Sequence, residues 1–180
     1  MYEQEKLEEA RYFLSRMAAS TNQPKTFRYE LSAFLSAARS VLQYALEEVK
    51  AKPNGQIWYD KQVSNYAVVK FFKDKRNVSI HRQPVVPETA LTIKQTDVIH
   101  VSDWLSIRII SQEGNVVGEK TTAPEPAPRQ EPPPPETGYR YTFTDWTGPE
   151  DGPTLCSIYL QAIEAIVNDG VAKGYLSRPS

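Results

Sequence analysis

Tyr66-Ala67-Val68-Val69-Lys70-Phe71-Phe72-Lys73-Asp74-Lys75-Arg76-Asn77-Val78-Ser79-Ile80-His81 is the stretch on which the fold class turns. Its first half is aromatic and β-branched, a composition that suits strands. Its second half is a cluster of cations closed by one of the chain's two histidines. The stretch belongs to a longer segment, Gln56 to about Arg82, that contains neither Gly nor Pro. That uninterrupted length predicts a helix, apolar nearly all round at 66–72 and therefore buried there, with Pro84 and Pro87 stopping it. A strand at its centre is the competing reading.

Upstream, the pattern is unambiguous. Phe27, Leu31, Phe34, Leu35, Ala38, Val41, Leu42, Ala45, Leu46 and Val49 recur at helical spacing, with Pro24 early in the helix, Asn22 or Thr21 as the expected cap and Pro53-Asn54-Gly55 as the stop. Ser32, Ala33, Ser36, Ala37 and Ser40 fall mostly off this stripe; solvent exposure explains them, and close approach of another helix is the alternative. Before it, Leu7, Ala10, Leu14 and Met17 make a narrower stripe over Glu3–Ala19, with glutamates at the positive end of the helix dipole.

Downstream, the period changes from helical to alternating. Leu91-Thr92-Ile93, Leu105–Ile109, Val116-Val117 and the Tyr139, Tyr141, Phe143 series read as strands, with Glu113-Gly114-Asn115 as a turn. Between the last two lies Thr121–Thr137, with seven of the fourteen prolines, which predicts an extended, solvated connector. Asp151-Gly152-Pro153 restarts a helix whose stripe is Leu155, Ile158, Tyr159, Ala162, Ile163, Ile166 and Val167, ended by Gly170 or Gly174. The expected fold is mainly α with a β insertion (α+β): an antiparallel bundle of about four helices, with a small antiparallel sheet between the third and last. In one domain of 180 residues, 3–83 and 153–173 would form the helical core, and 88–147 the inserted β-unit containing the proline-rich loop 121–137.

Composition narrows the function. A single cysteine, Cys156, excludes an intramolecular disulfide and a thiolate cage, and its place on an apolar helix face predicts an inert buried thiol. No apolar run reaches the roughly 20 residues a bilayer requires, so a cytoplasmic protein without membrane contact is expected. Gly-rich phosphate loops, a Gly-x-Ser-x-Gly elbow and a His-Glu-x-x-His pair are all missing, and His81 with His100 nominates no metal site and no cofactor. The net charge of −1 conceals a split: residues 1–83 hold 14 Lys/Arg against 9 Asp/Glu, and residues 84–180 hold 7 against 13. A basic front half can attract an anionic partner.

What remains is Arg76-Asn77-x-x-x-His81, preceded by Lys73 and Lys75 and followed by Arg82. Arg-x4-His with a polar residue after the arginine, late in a helical core, resembles the signature of the HEPN superfamily (higher eukaryotes and prokaryotes nucleotide-binding domains). The likeness covers roughly 3–83, with 153–173 as the final helix; it leaves the β-unit unassigned. The resemblance implies a metal-independent endoribonuclease of the toxin or antiphage kind, working as a homodimer on RNA, with a protein antitoxin or regulator as a further partner. A non-catalytic HEPN-like binding module is the alternative.

The residue chemistry suits the first reading. A histidine titrating near neutrality serves as general acid or base for 2′-hydroxyl attack. Arginine offers a fixed fork to phosphate oxygens, Asn77 would orient either group, and Lys73, Lys75 and Arg82 would attract phosphates. On a regular helix Asn77 and His81 share a face, whereas Arg76 and His81 are about 140° apart. One chain therefore cannot aim both at one phosphate unless the helix ends or distorts, and the dimer implied by the resemblance removes that difficulty. In a purely structural role, Arg76 would pair with a carboxylate such as Asp74 and His81 would stabilise a helix end.

Overall fold

The computed structural model describes residues 2–81 (76–81 as helical backbone only), 85–95, 105–122 and 132–178. It divides into two compact units, Met1–Thr92 with Thr137–Ser180, and Ile93–Glu136. The first holds the helices: α1 (Tyr2–Ala19), α2 (Pro24–Lys50), α3 (Gly55–Asn65), α4 (Ala67–His81) and α5 (Gly152–Ala172). Strand β1 (Glu88–Lys94) pairs with β4 (Glu136–Thr142), and β2 (Leu105–Ile110) pairs separately with β3 (Val116–Thr122). The α+β class with a mainly helical body is as expected, and no helix among the described residues is long and apolar enough to cross a membrane.

Helix α2 is the spine. Phe27, Leu31, Phe34, Ala38, Val41, Ala45 and Val49 of the expected stripe are all at 0–1% exposure and Leu42 is buried, whereas Leu35 and Leu46 are only half-buried and Ala37 joins the core at 2%. Its cap differs from expectation: Gln23 occupies the position and makes no side-chain cap bond, and Pro24 starts the helix. Helix α1 folds back on α2 across the Ser20–Gln23 turn, burying Leu7, Ala10 and Met17. Burying one side chain of this kind contributes roughly 1.5–3 kcal/mol.

The segment expected as one helix is two. Tyr66 is extended (φ −115°, ψ 105°), and its carbonyl accepts from the amides of Val69 and Lys70, opening α4. The cause is a phase conflict. Trp58, Tyr59 and Val63 are the apolar residues buried by α3, and Val68, Val69 and Phe72 those buried by α4. On one straight helix those two sets would point about 110° apart at ~100° per residue. Breaking at Asn65–Tyr66 rotates the second set onto the core. The described residues therefore form five helices instead of about four, and two separate two-stranded sheets instead of one.

Asn54 lies in the left-handed region at φ 59°, and Gly55 starts α3 against the end of α2. A Cβ on Gly55 would sit 2.0 Å from the Val49 carbonyl oxygen. Gly55→Ala is expected to lower stability by about 1–3 kcal/mol through overpacking, read as a fall in the urea midpoint. An unchanged midpoint would mean that the α2–α3 corner can open freely.

Helix α5 closes the core. Asp151 caps it by accepting from the Thr154 amide at 2.9 Å, and Gly174 (φ +74°) ends it, while Gly170 stays inside, pressed by Trp58 and Leu176. Asp169 ties α5 to α3: its carboxylate accepts from Trp58 Nε1 at 2.8 Å and Gln62 Nε2 at 3.0 Å, and from Lys173 Nζ at 2.8 Å. Hydrogen bonds from Lys173 and then Trp58 hold its pKa below the usual carboxylate range. Cys156 is fully buried, as expected, and burial pushes its thiol pKa up. Strand β4 seals the α1–α2 turn: Tyr141 stacks on Phe27 at 3.6 Å and its hydroxyl donates to the Thr21 carbonyl at 2.8 Å.

The second unit contains an antiparallel hairpin in which Leu105 pairs with Thr122, Ile107 with Lys120 and Ile109 with Gly118, with an irregularity at Ile109/Ile110. Arg108 Nε donates to Glu119 at 3.1 Å across the strands. Proline-rich residues 123–131 lie outside the described residues; 132–135 are exposed and carry no regular structure.

Candidate functional site

Helix α4 carries the motif region, and an aromatic cluster sets its direction. Phe72 packs against Phe143 at 5.6 Å and Tyr159 at 4.7 Å. Phe71 meets Phe143 at 5.8 Å and Trp146 at 5.2 Å. Trp146 Nε1 in turn donates to Glu150 at 2.7 Å. Lys75 completes the clamp, with its Nζ 2.7 Å from Asp145 and above the rings of Phe71 and Phe143 at 5.7 and 6.0 Å. The last described side chain before Arg76 thus fastens α4 to the segment after β4.

The α4 backbone continues unbroken to His81. Arg76, Asn77 and His81 lie in its last turns, their side chains outside the described residues, as are Arg82 and His100 altogether. Because the helix does not distort before His81, positions 76 and 81 keep the ~140° separation of a regular helix. Lys73 is exposed and described, one turn before Arg76 and Asn77.

Lys73 lines a groove of about 980 Å³ whose floor is α2. Arg28, Ser32, Leu35, Arg39, Leu42 and Leu46 follow one another along that floor at spacings of three and four, a single helical row. Tyr59 and Asp60 of α3 stand at one wall, and Phe72 and Lys73 of α4 at another, with Val85 and Val86 beside them and Tyr159 of α5 below. Ser32 and Ser36 are exposed along the row, as their position off the apolar stripe suggested.

The charges in this groove are unevenly satisfied. Its acids are engaged: Glu47 accepts from Lys50 at 2.9 Å and Asp60 from Gln56 at 3.0 Å. Its cations are not. Among the described residues, Arg28, Arg39 and Lys73 have neither a hydrogen bond nor an ion pair, and Arg39 Nη1 is buried with no acceptor. Arg39 as a whole is half-buried and lines the groove, where its guanidinium can meet a ligand oxygen.

Tyr59 is the groove's titratable wall. Its hydroxyl donates to the Leu42 carbonyl at 3.0 Å. Burial, reinforced by the Asp60 charge and opposed by Arg39, pushes its pKa up to about 12 from 10.0. A raised pKa means that the folded state binds this proton more tightly than the unfolded chain. The stabilisation is complete below about pH 10 and is lost as pH rises towards about 12. The urea midpoint of the wild type is therefore expected to fall from about pH 9 to about pH 11 more steeply than that of Tyr59→Phe; parallel falls would refute the assignment.

Among the described residues no group of three or more His, Cys, Asp or Glu stands together as a metal site. Arg28, Tyr29 and Arg39 escaped the sequence reading because α2 was read for its apolar stripe. The available signal was the 28–32–35–39 row beside that stripe, cationic at both ends. Comparison with protein-family models, with curated proteins and with solved structures returns no match for this chain.

Proposed function

We propose that this protein is a metal-independent endoribonuclease of HEPN type, acting as a homodimer on RNA. His81 is the acid/base group, Arg76 the phosphate clamp, Asn77 the orienting residue and Lys73 an auxiliary cation. The observation that carries the reading is the groove of unpaired cations meeting α4 at Lys73, one turn before Arg76 and Asn77. An RNA strand lying there would deliver a phosphate to the end of α4. The unbroken helix supports the dimer part of the reading, because positions 76 and 81 of a single copy diverge on it whereas two copies could bring the two groups together. Lys75, held by Asp145, contributes to this reading by fixing α4; Arg82 keeps its proposed role in attracting phosphate. A toxin-like role under a protein antitoxin belongs to the same proposal.

The test is incubation of a mixed RNA pool with the protein in EDTA, followed by analysis of product ends. Cleavage leaving 2′,3′-cyclic phosphate is expected, because attack by the neighbouring 2′-hydroxyl leaves that ring. Cleavage that stops in EDTA, or intact RNA, overturns the proposal.

A second reading, a HEPN-like binding module without catalysis, is favoured by one separate observation. Leu105, Ile107 and Ile109 alternate along β2 at 60%, 50% and 61% exposure. An uncovered aliphatic strand face of this kind marks an interaction surface. Wild-type protein that binds a partner through the hairpin and leaves RNA intact would select this reading.

A further inference from the structure

We infer that the α2 groove is a binding track for single-stranded RNA, in which Arg28 and Arg39 hold successive backbone phosphates and Tyr29 stacks a base. The inference rests on the ribonuclease reading for the identity of the polymer and supplies what that reading lacks, the residues that bind the strand away from the cleavage point.

Spacing argues for a polymer. Arg28 and Arg39 are eleven residues apart, which at ~100° and ~1.5 Å per residue puts them on nearly the same line of α2, roughly 16 Å apart. A single small anion reaches one of them. A strand with regularly repeating phosphates reaches both and continues to Lys73 on α4.

Unpaired charge argues for an anion. All three cations lack a hydrogen bond or ion pair among the described residues, and Arg39 presents an enclosed Nη1 with no acceptor, while Glu47 and Asp60 are already engaged. Arg39 is half-buried and lines the groove, so a phosphate oxygen meeting its guanidinium makes a charge-assisted bond, stronger than one between neutral groups.

The aromatic ring argues for a nucleic acid over an acidic peptide. Tyr29, adjacent to Arg28 and 63% exposed, lines the groove and offers exposed ring surface, with Lys25 Nζ standing over the ring 6.0 Å from its centroid. Tyr59, Phe72 and Tyr159 are buried walls and offer none. A cationic row with one solvent-facing aromatic ring is the arrangement that holds single strands by phosphate contact and base stacking.

The experiment measures binding of a fluorescent 2′-O-methyl oligoadenylate of about twelve nucleotides, which has no free 2′-hydroxyl and cannot be cut by the proposed chemistry. Wild type, Arg28→Gln, Arg39→Gln and Tyr29→Ala are compared across a salt series, with a polyglutamate peptide as competitor. Each arginine substitution is expected to weaken binding about tenfold and to make the slope of log affinity against log salt shallower by about 0.7, one single-strand phosphate contact. Tyr29→Ala is expected to weaken binding about tenfold with the slope unchanged. Arg28 and Tyr29 are exposed, so their variants remain informative if Arg39→Gln fails to fold. Wild-type affinity and slope in Arg28→Gln and Tyr29→Ala overturn the track. So does polyglutamate binding that depends on Arg28 and displaces the oligonucleotide, because the groove then belongs to an acidic peptide. Wild type that binds through these residues yet cuts no RNA keeps the track and removes the ribonuclease. Cutting with variants that bind normally does the reverse.

Discussion

His81→Ala and Arg76→Ala are each expected to reduce RNA cleavage in EDTA by at least about 10²-fold while leaving the thermal midpoint within about 2 °C of wild type. A positioned proton-transfer group typically accounts for about 10²–10⁴ in rate. A charged donor aimed at developing phosphorane charge contributes on a similar scale. The catalytic assignment requires both side chains to face substrate and not the core, whose members among the described side chains of α4 end at Phe72. Substitutions away from buried features usually change stability by less than about 0.5 kcal/mol, which in a chain of this size shifts the midpoint by about 1–2 °C. Dimerisation adds a sharper check. If the catalytic groups come from different copies, mixing inactive Arg76→Ala with inactive His81→Ala restores partial activity through heterodimers, one of whose two sites is intact. Cleavage unchanged in either variant, or a fall in thermal midpoint of many degrees in both, would remove the catalytic assignment and leave the structural role.

Phe72→Ala is expected to cost about 3–5 kcal/mol, the range for removing a phenyl ring from a packed interior. Phe72 is 3% exposed and is the point where α4, the segment after β4, and α5 meet. Its loss opens a cavity between Phe143 and Tyr159 and loosens the clamp that directs α4. The thermal midpoint should fall by about 6–20 °C, at ~2–4 °C per kcal/mol for this chain length. Phe72→Leu, which refills most of the volume, should recover at least half of the loss. A Phe72→Ala protein with an unchanged midpoint would mean that α4 is held by something other than this cluster, and the account of how the motif helix is aimed would fail.

The two substitutions probe opposite kinds of information. Phe72 was legible as core within a dense apolar run, but the run is not buried all round as expected: Val68, Val69 and Phe72 are buried, Tyr66 and Phe71 are half-buried and Ala67 is exposed. The α2 stripe was legible because Phe27 to Val49 keep one helical phase throughout. The Asp151 cap could be read from its Pro-containing context, and the strands from their alternation. The break at Tyr66 was not legible as a turn signal, since Asn65–Tyr66 lacks Gly and Pro. It lay in the change of phase between the Trp58–Tyr59–Val63 set and the Val68–Val69–Phe72 set, which an apolar-all-round reading of 66–72 obscured. The groove was still less accessible, because Arg28, Ser32, Arg39 and Lys73 look individually like ordinary solvated residues.

Alone, the sequence determined most of the buried faces of α1, α2 and α5 (on α5 Ile158 proves exposed and Leu160 buried), where β-structure replaces helix, and which short motif at the end of α4 has the residue types for acid/base and phosphate chemistry. Periodicity is a one-dimensional property, and burial along one element follows from it. Tertiary structure alone decided that α3 and α4 are separate helices, that Lys75 is occupied by Asp145 and two aromatic rings, and that Arg39 lines the groove with no ion pair among the described residues. Those outcomes depend on which elements come to lie beside one another. The unpaired cations of the groove follow from the same packing, which brings Arg28 and Arg39 of α2 together with Lys73 of α4 while the groove's carboxylates, Glu47 and Asp60, bond Lys50 and Gln56 instead.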